Sequence, residues 1–370
     1  MTVRQVALGS VGAVVLVVVL VWFVLSVALF ARFIGDLVGR RVDIHSEATR
    51  TVIVTPAGRE RYLSVLRPYV QRLVQSGLAA EWQLWENTRT DGDAAFVQRL
   101  RSEHAWITVV PYGWTIRGKS KGATGDGREK PLVDSLLTEE FADEDKGSVL
   151  GVTRFLRRCT DADTLYVKMD DDLVWLGGPA VFRAFVSYVQ SAPDNVLVSA
   201  NVVNNIACEW LVERAHAGTP RAIDCLRLAS AVLEPLGQRS GTHAEKQLRE
   251  ALPDPSLRAV QEVWRWPLSL SINCVAWKGN TLCSLQDTHH PMGQDWGYAG
   301  VTLGRSSDEE WLGVRCSLRQ AEYHVFGSFV AVHFAFSRQE AHLLATDLLQ
   351  RYTELANQVM QGLTNTSKTP

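Results

Sequence analysis

Hydrophobic positions along the chain fall into short β-branched runs separated by longer stretches with helical spacing. TVIVT (51–55), closed by Pro56, predicts a strand buried on both faces. Leu63, Leu66, Val70, Leu73 and Val74 follow at helical intervals, and Gly77 stops them. EWQLWEN (81–87) and WITVVPY (106–112) predict two more strands, with a helix over 93–102 between them. Residues 113–130 are rich in Gly and Lys and predict a loop. Val149, Val152, Phe155 and Leu156 mark a helix leading into the strand TLYVKM (164–169). Beyond it the pattern predicts a helix over 179–191 and strands at 195–203, within SLSINCVAWKG and at 328–336. Residues 218–260 are polar, partly helical, and predict an insertion. The last helix opens with Ser337 and Glu340 at capping-box spacing, carries Leu344, Leu348, Tyr352, Leu355 and Val359 on one stripe, and is expected to end at Gly362. Strands alternating with amphipathic helices predict an α/β fold: a mixed, mostly parallel sheet flanked by helices, joined by right-handed crossovers.

The N-terminus breaks this pattern. No charged residue lies between Arg4 and Arg32, and the apolar run is long enough to cross a bilayer. It is too long for a signal-peptide core and has no small-residue cleavage site. We therefore expect a single transmembrane anchor (1–36), a polar stalk (37–50), a catalytic-type domain (51–362) and a disordered tail (363–370). Arg32, Arg40 and Arg41 follow the span and only Arg4 precedes it, which favours a cytoplasmic domain. A luminal type II orientation stays open, and Asn365 opens a glycosylation sequon.

Composition narrows the function mainly by exclusion. A formal net charge of −2 argues against a nucleic-acid binder held by phosphate neutralisation. Six cysteines are scattered without a CxxC pair, which disfavours a thiolate zinc site.

The chemistry concentrates in KMDDDLVWL, where Asp170, Asp171 and Asp172 follow a predicted strand. Ligands of open α/β sheets bind beyond the carboxyl ends of the strands. Adjacent carboxylates repel unless a cation compensates them, and a hard divalent ion, Mn²⁺ or Mg²⁺, suits that task and would bring phosphate oxygens with it. A solvated acidic turn is the plain alternative.

KMDDDLVWL resembles the DxD motif of nucleotide-sugar glycosyltransferases of the GT-A fold. In order along the chain, WENTRTDGD, SANVVNN, SINCVAWKG, DEEWL and VAVHFAFSRQ extend the resemblance to a group of bacterial and fungal GT-A-like proteins. The resemblance implies a nucleotide-sugar donor contacted by Thr55, Pro56, Arg59, Asn87 and Arg154, with Asp170 and Asp171 also on the donor side. It implies a metal held by Asp170, Asp172 and a C-terminal histidine, His333, with His289 and His290 as alternatives. An inverting transfer would take its base from Asp308 and Glu309, or from Asp295; a retaining one would need none. Asn201, Asn204 and Trp266 are implied on the acceptor side. An anchored enzyme would meet a glycan or lipid-linked acceptor at a membrane. A sugar-nucleotide-binding scaffold and an Asp-based phosphotransfer enzyme are the competing classes.

Overall fold

The computed structural model describes residues 50–112, 152, 155–156, 158–205, 208–209, 212, 240–261, 263–266, 272–281, 312 and 322–366. All belong to the larger of two units into which the chain divides, Ser46–Pro370. The apolar run at the N-terminus lies outside them. Among the described residues no helix is long and apolar enough to cross a membrane.

Nine strands of the described residues form one sheet: β1 (Arg50–Ala57), β2 (Glu81–Glu86), β3 (Ile107–Val110), β4 (Thr164–Met169), β5 (Leu173–Leu176), β6 (Val196–Val203), β7 (Val263–Trp266), β8 (Cys274–Lys278) and β9 (Glu322–His333). The order is β3-β2-β1-β4-β8-β6-β9-β5, with β7 paired to β9. β3, β2, β1 and β4 run parallel. β8 is antiparallel to β4 and β6, β6 and β9 are parallel, and β5 and β7 run against β9. The sheet is therefore mixed, its first half wholly parallel, as the short apolar runs predict.

The helices with described bounds are α1 (Glu60–Gln75), α2 (Asp91–Glu103), α3 (Pro179–Ser191), α4 (Gly241–Ala251), α5 (Ser337–Leu344) and α6 (Leu348–Thr366). α1 buries Leu63, Leu66, Val70 and Leu73, the predicted stripe, together with Tyr62 and Tyr69. Phe182, Phe185 and Val189 do the same for α3.

Four features refine the expected pattern. LVWL is a strand of its own, β5, turned back against β9. Of the expected insertion (218–260), the described residues 240–260 pack onto the fold: α4 buries Ala244, Leu248 and Ala251, and Tyr352 Oη donates to the Leu248 carbonyl at 3.0 Å. The C-terminal helix is two, α5 and α6. The second runs through Gly362 to Thr366, into the expected tail, because one glycine costs a helix only about 1 kcal/mol. The cap of α5 is set one residue earlier than Ser337. Phe336 holds the N-cap, and its N–H donates to Gln339 Oε1 at 3.1 Å, which leaves Glu340 for another task.

β9 carries the feature that shapes the site. Ala200 pairs with Phe326 but Asn201 pairs with Val330, so Gly327, Ser328 and Phe329 form an excursion from the ladder. Asn201 Nδ2 donates to the carbonyl of Gly327 in the excursion at 3.2 Å and to that of Arg258 at 2.8 Å, tying the two segments together. Bulges bend the strand that carries them. The second half of β9 pairs with β5 and ends with His333 opposite Leu173.

Candidate metal centre

β4 ends at Met169, and the next three residues make the turn into β5. The Asp170 N–H donates to the Asn273 carbonyl at 2.8 Å, and the Phe334 N–H donates to the Asp172 carbonyl at 2.9 Å. The acidic turn is thereby pinned from both sides by backbone.

Each carboxylate has its own environment. Asp170 Oδ1 accepts from Lys168 Nζ, and Oδ2 accepts from Asn273 Nδ2 at 2.9 Å. Lys168 is fully buried, and its Nζ also donates to the Ile272 carbonyl at 2.9 Å. Asp171 Oδ2 accepts from the Gly58 N–H at 3.0 Å and from Arg59 Nε at 3.3 Å; Arg59 Nη2 reaches its Oδ1. A Cβ on Gly58 would stand 3.0 Å from Asp171 Oδ2 and 3.3 Å from the Asn87 carbonyl oxygen, so the close approach of β1 to the turn favours glycine there. Asp172 Oδ2 lies 2.7 Å from Arg59 Nη2 and 3.2 Å from His333 Nε2.

Two polar atoms stay unmatched. Asp172 Oδ1 and His333 Nδ1 are buried and have no hydrogen-bond partner among the described residues. A buried, unpaired carboxylate oxygen costs on the order of 1–3 kcal/mol or more. Asp170, Asp172 and His333 each offer a ligand atom, all within 4.8 Å of one another, and form a possible metal site. Two carboxylates and an imidazole suit a first-row divalent ion such as Mn²⁺, and the unmatched atoms fit that use.

The electrostatics agree with a site of concentrated charge. Burial opposes ionisation of Asp172, but His333 and Arg59 overcome it and hold the carboxyl well below the usual carboxylate range. Burial pushes Asp171 up against the pull of Arg59. Burial would lower Arg59, yet Asp172 and Asp171 raise it overall. Burial likewise opposes the charged form of His333, and Asp172 more than reverses this, so its pKa is raised.

A pH effect follows for the metal-free protein. Because the folded pKa of His333 is raised above its ordinary value of 6.5, its stabilisation is complete below that pH and is lost as pH rises through the folded value. Asp172 contributes in the opposite sense: its stabilisation is present above 3.8 and is lost only in strong acid. In chelator, urea unfolding from pH 6 to 8.5 is expected to show the wild type losing stability relative to His333→Gln. Parallel curves would contradict the pairing.

Other site expectations are placed as follows. Arg59 and His333 join the acidic turn. Asn87 and Pro56 lie at the same carboxyl edge, where Pro56 pairs with Trp85. Thr55 is fully buried, and its Oγ1 accepts from Trp82 Nε1 at 2.9 Å, so this hydroxyl serves the core. Asn201 is committed to the β9 excursion. Asn204 sits in the left-handed region at φ 62° and donates to the Phe334 carbonyl at 3.1 Å and to Gln339 Oε1 at 3.0 Å. Both asparagines tie backbone together and line a cavity of about 20 Å³, room for about one water and not a sugar. The Trp266 backbone pairs with Tyr323 in the β7–β9 ladder. Arg154, His289, His290, Asp295, Asp308 and Glu309 lie outside the described residues.

Three contributors were not anticipated: Lys168, Asn273 and Glu340. Glu340 Oε1 accepts from Tyr62 Oη at 2.7 Å and lies 3.5 Å from Arg59 Nη1. Lys168 had a signal, since a charge two residues before Asp170 in an apolar strand faces the same side. A larger cavity, about 390 Å³, is lined by Arg50, Ala79, Arg183 and Gln190 at the amino end of β1, away from the acidic turn.

Solved glycosyltransferase structures are similar to the chain. GalNAc-T7, crystallised with UDP, GalNAc and Mn²⁺, matches over 78% of this chain at 8% identity and a TM-score of 0.41. The chain spans 44% of that protein's length. The mannosyltransferase PcManGT from Pyrobaculum calidifontis, in complex with GDP-Man and Mn²⁺, matches over 91% of this chain and 82% of its own, at 12% identity and a TM-score of 0.37. No protein-family model and no curated protein matches the sequence. At this level of similarity the chemistry has to be argued from the chain's own residues.

Proposed function

We propose that this chain is a metal-dependent glycosyltransferase that moves a sugar from a nucleotide-sugar donor to a glycan or lipid-linked acceptor. The observation that carries the reading is the pair of unmatched buried atoms, Asp172 Oδ1 and His333 Nδ1, beside Asp170 at the carboxyl edge of a parallel sheet. A divalent ion there would neutralise charge on a departing diphosphate. Asp170, Asp172 and His333 would hold it. Lys168 and Asn273 aim Asp170, and the Gly58 N–H and Arg59 fix Asp171. Arg59 is assigned to the donor phosphates as a charged hydrogen-bond donor.

Inverting transfer requires a carboxylate to take the acceptor hydroxyl's proton, and Asp308 and Glu309, with Asp295 as alternative, are assigned that role on their sequence context. Arg154 is assigned to the donor, and Trp266 to the acceptor. The apolar run before Arg32 is read as the membrane anchor, with the domain on the cytoplasmic side.

Thermal-shift measurement of the full chain against a panel of nucleotide sugars tests the reading. At a hundred times Kd a ligand stabilises by about 2.7 kcal/mol, a shift of several degrees. One donor is expected to produce that shift only with Mn²⁺ present. Absence of any metal-dependent shift across the panel would overturn the proposal.

A further inference from the structure

Arg59 faces the same carboxylate that a divalent ion would use. Its Nη2 lies 2.7 Å from Asp172 Oδ2, the oxygen that also faces His333 Nε2 at 3.2 Å. A guanidinium and a divalent cation repel at such range, and in a buried setting water screens them little. The rest of the Arg59 side chain is anchored on groups outside the ligand set. Nε lies 3.2 and 3.3 Å from the two oxygens of Asp171. Nη1 lies 3.5 Å from Glu340 Oε1, which Tyr62 Oη holds at 2.7 Å. The guanidinium carbon stands 4.7 Å from the centre of the Tyr62 ring. Only the contact of Nη2 with Asp172 involves a metal ligand.

We infer that Arg59 is an exchangeable counter-cation. In the metal-free protein it neutralises Asp172. A bound divalent ion takes over that charge and turns Nη2 off Asp172, while Nε stays on Asp171. The freed Nη2 then presents a charged N–H beside the ion, where a diphosphate oxygen can accept it. One arginine thus neutralises Asp172 without the ion and serves the diphosphate beside it, and metal binding favours diphosphate binding. Anchoring on Asp171, Glu340 and Tyr62 keeps the exchange small: a swing of one arm, with the rest of the side chain in place. The inference rests on the metal reading above.

The test measures Mn²⁺ affinity of the full chain directly, by electron paramagnetic resonance of free Mn²⁺, without nucleotide. Arg59→Gln is expected to bind Mn²⁺ about tenfold more tightly than wild type, because the competitor is gone. Its Mn²⁺-loaded form is expected to bind inorganic pyrophosphate about tenfold more weakly. A purely structural role for Arg59 would weaken both. Should Arg59→Gln fail to fold, a crystal structure of the wild type with Mn²⁺ decides: Nη2 is expected beyond hydrogen-bond reach of Asp172 with Nε still on Asp171. Mn²⁺ affinity that is unchanged or weaker in Arg59→Gln, or an intact Nη2–Asp172 contact beside bound Mn²⁺, would overturn the exchange while leaving the metal centre standing. Wild type that binds neither Mn²⁺ nor Mg²⁺ would overturn both.

Discussion

Asp172→Asn is expected to lower Mn²⁺-dependent hydrolysis of the nucleotide-sugar donor by about 10²–10³-fold, an effect of the size seen when one charge-stabilising group is removed. The substitution keeps the shape of the side chain and removes its charge. It takes away a ligand, and it also strips Arg59 and His333 of the anion both face, 2.7 and 3.2 Å away. Breaking a buried ion pair by removing one partner costs about 3–5 kcal/mol. Urea unfolding in chelator should therefore show a large loss of stability alongside the loss of activity. His333→Gln should lose the activity with a stability change that shrinks as pH rises through the raised pKa of the paired imidazole. Hydrolysis that survives intact in Asp172→Asn would remove this residue from the metal centre.

The second large effect is an asymmetry between Lys168 and Asp170. Lys168 is fully buried, whereas the Asp170 side chain retains 20% exposure. Removing the carboxylate charge takes the Asp170 anion from a buried ammonium, which keeps its hydrogen bond to the Ile272 carbonyl. Removing the ammonium leaves a carboxylate that still meets water and still accepts from Asn273. Asp170→Asn is therefore expected to cost about 3–5 kcal/mol and Lys168→Met distinctly less, about 1–2 kcal/mol. The double variant should be more stable than Asp170→Asn alone, since the buried ammonium is removed together with the anion it faces. Equilibrium unfolding of the three variants in chelator gives the cycle directly. Equal costs for the two single variants would mean that Lys168 reaches solvent or another anion.

Much of the framework was legible in the sequence because a parallel sheet covered on both faces writes itself as short apolar runs. TVIVT and TLYVKM read as strands, and their residues are buried almost throughout. The acidic turn stood out for the same reason, as charge at the end of such a run. What escaped was decided by partners remote in the chain. Glu340 has capping-box spacing from Ser337, and local spacing cannot reveal Tyr62, 278 positions away. Asn201 and Asn204 follow a strand as ligand-binding residues often do, but the β9 excursion and a left-handed turn claim them first. Thr55 ends a strand at the binding edge, yet strand alternation turns it toward Trp82 instead of the site. β5 is four residues with no alternation, so nothing in it foretells a reversal against β9.

The third ligand of the candidate centre comes from β9, at position 333 of 370, while the other two stand at 170 and 172. A growing polypeptide therefore presents the acidic turn long before it can present the imidazole. The ion cannot seed the nascent domain; the sheet must first be assembled from both halves of the chain, and such distant pairings are slow to form. Metal arriving at that stage acts on the finished domain, where it slows unfolding more than it hastens folding. Maturation would then have a natural order: the sheet closes first and the ion comes last, as a seal on the assembled domain.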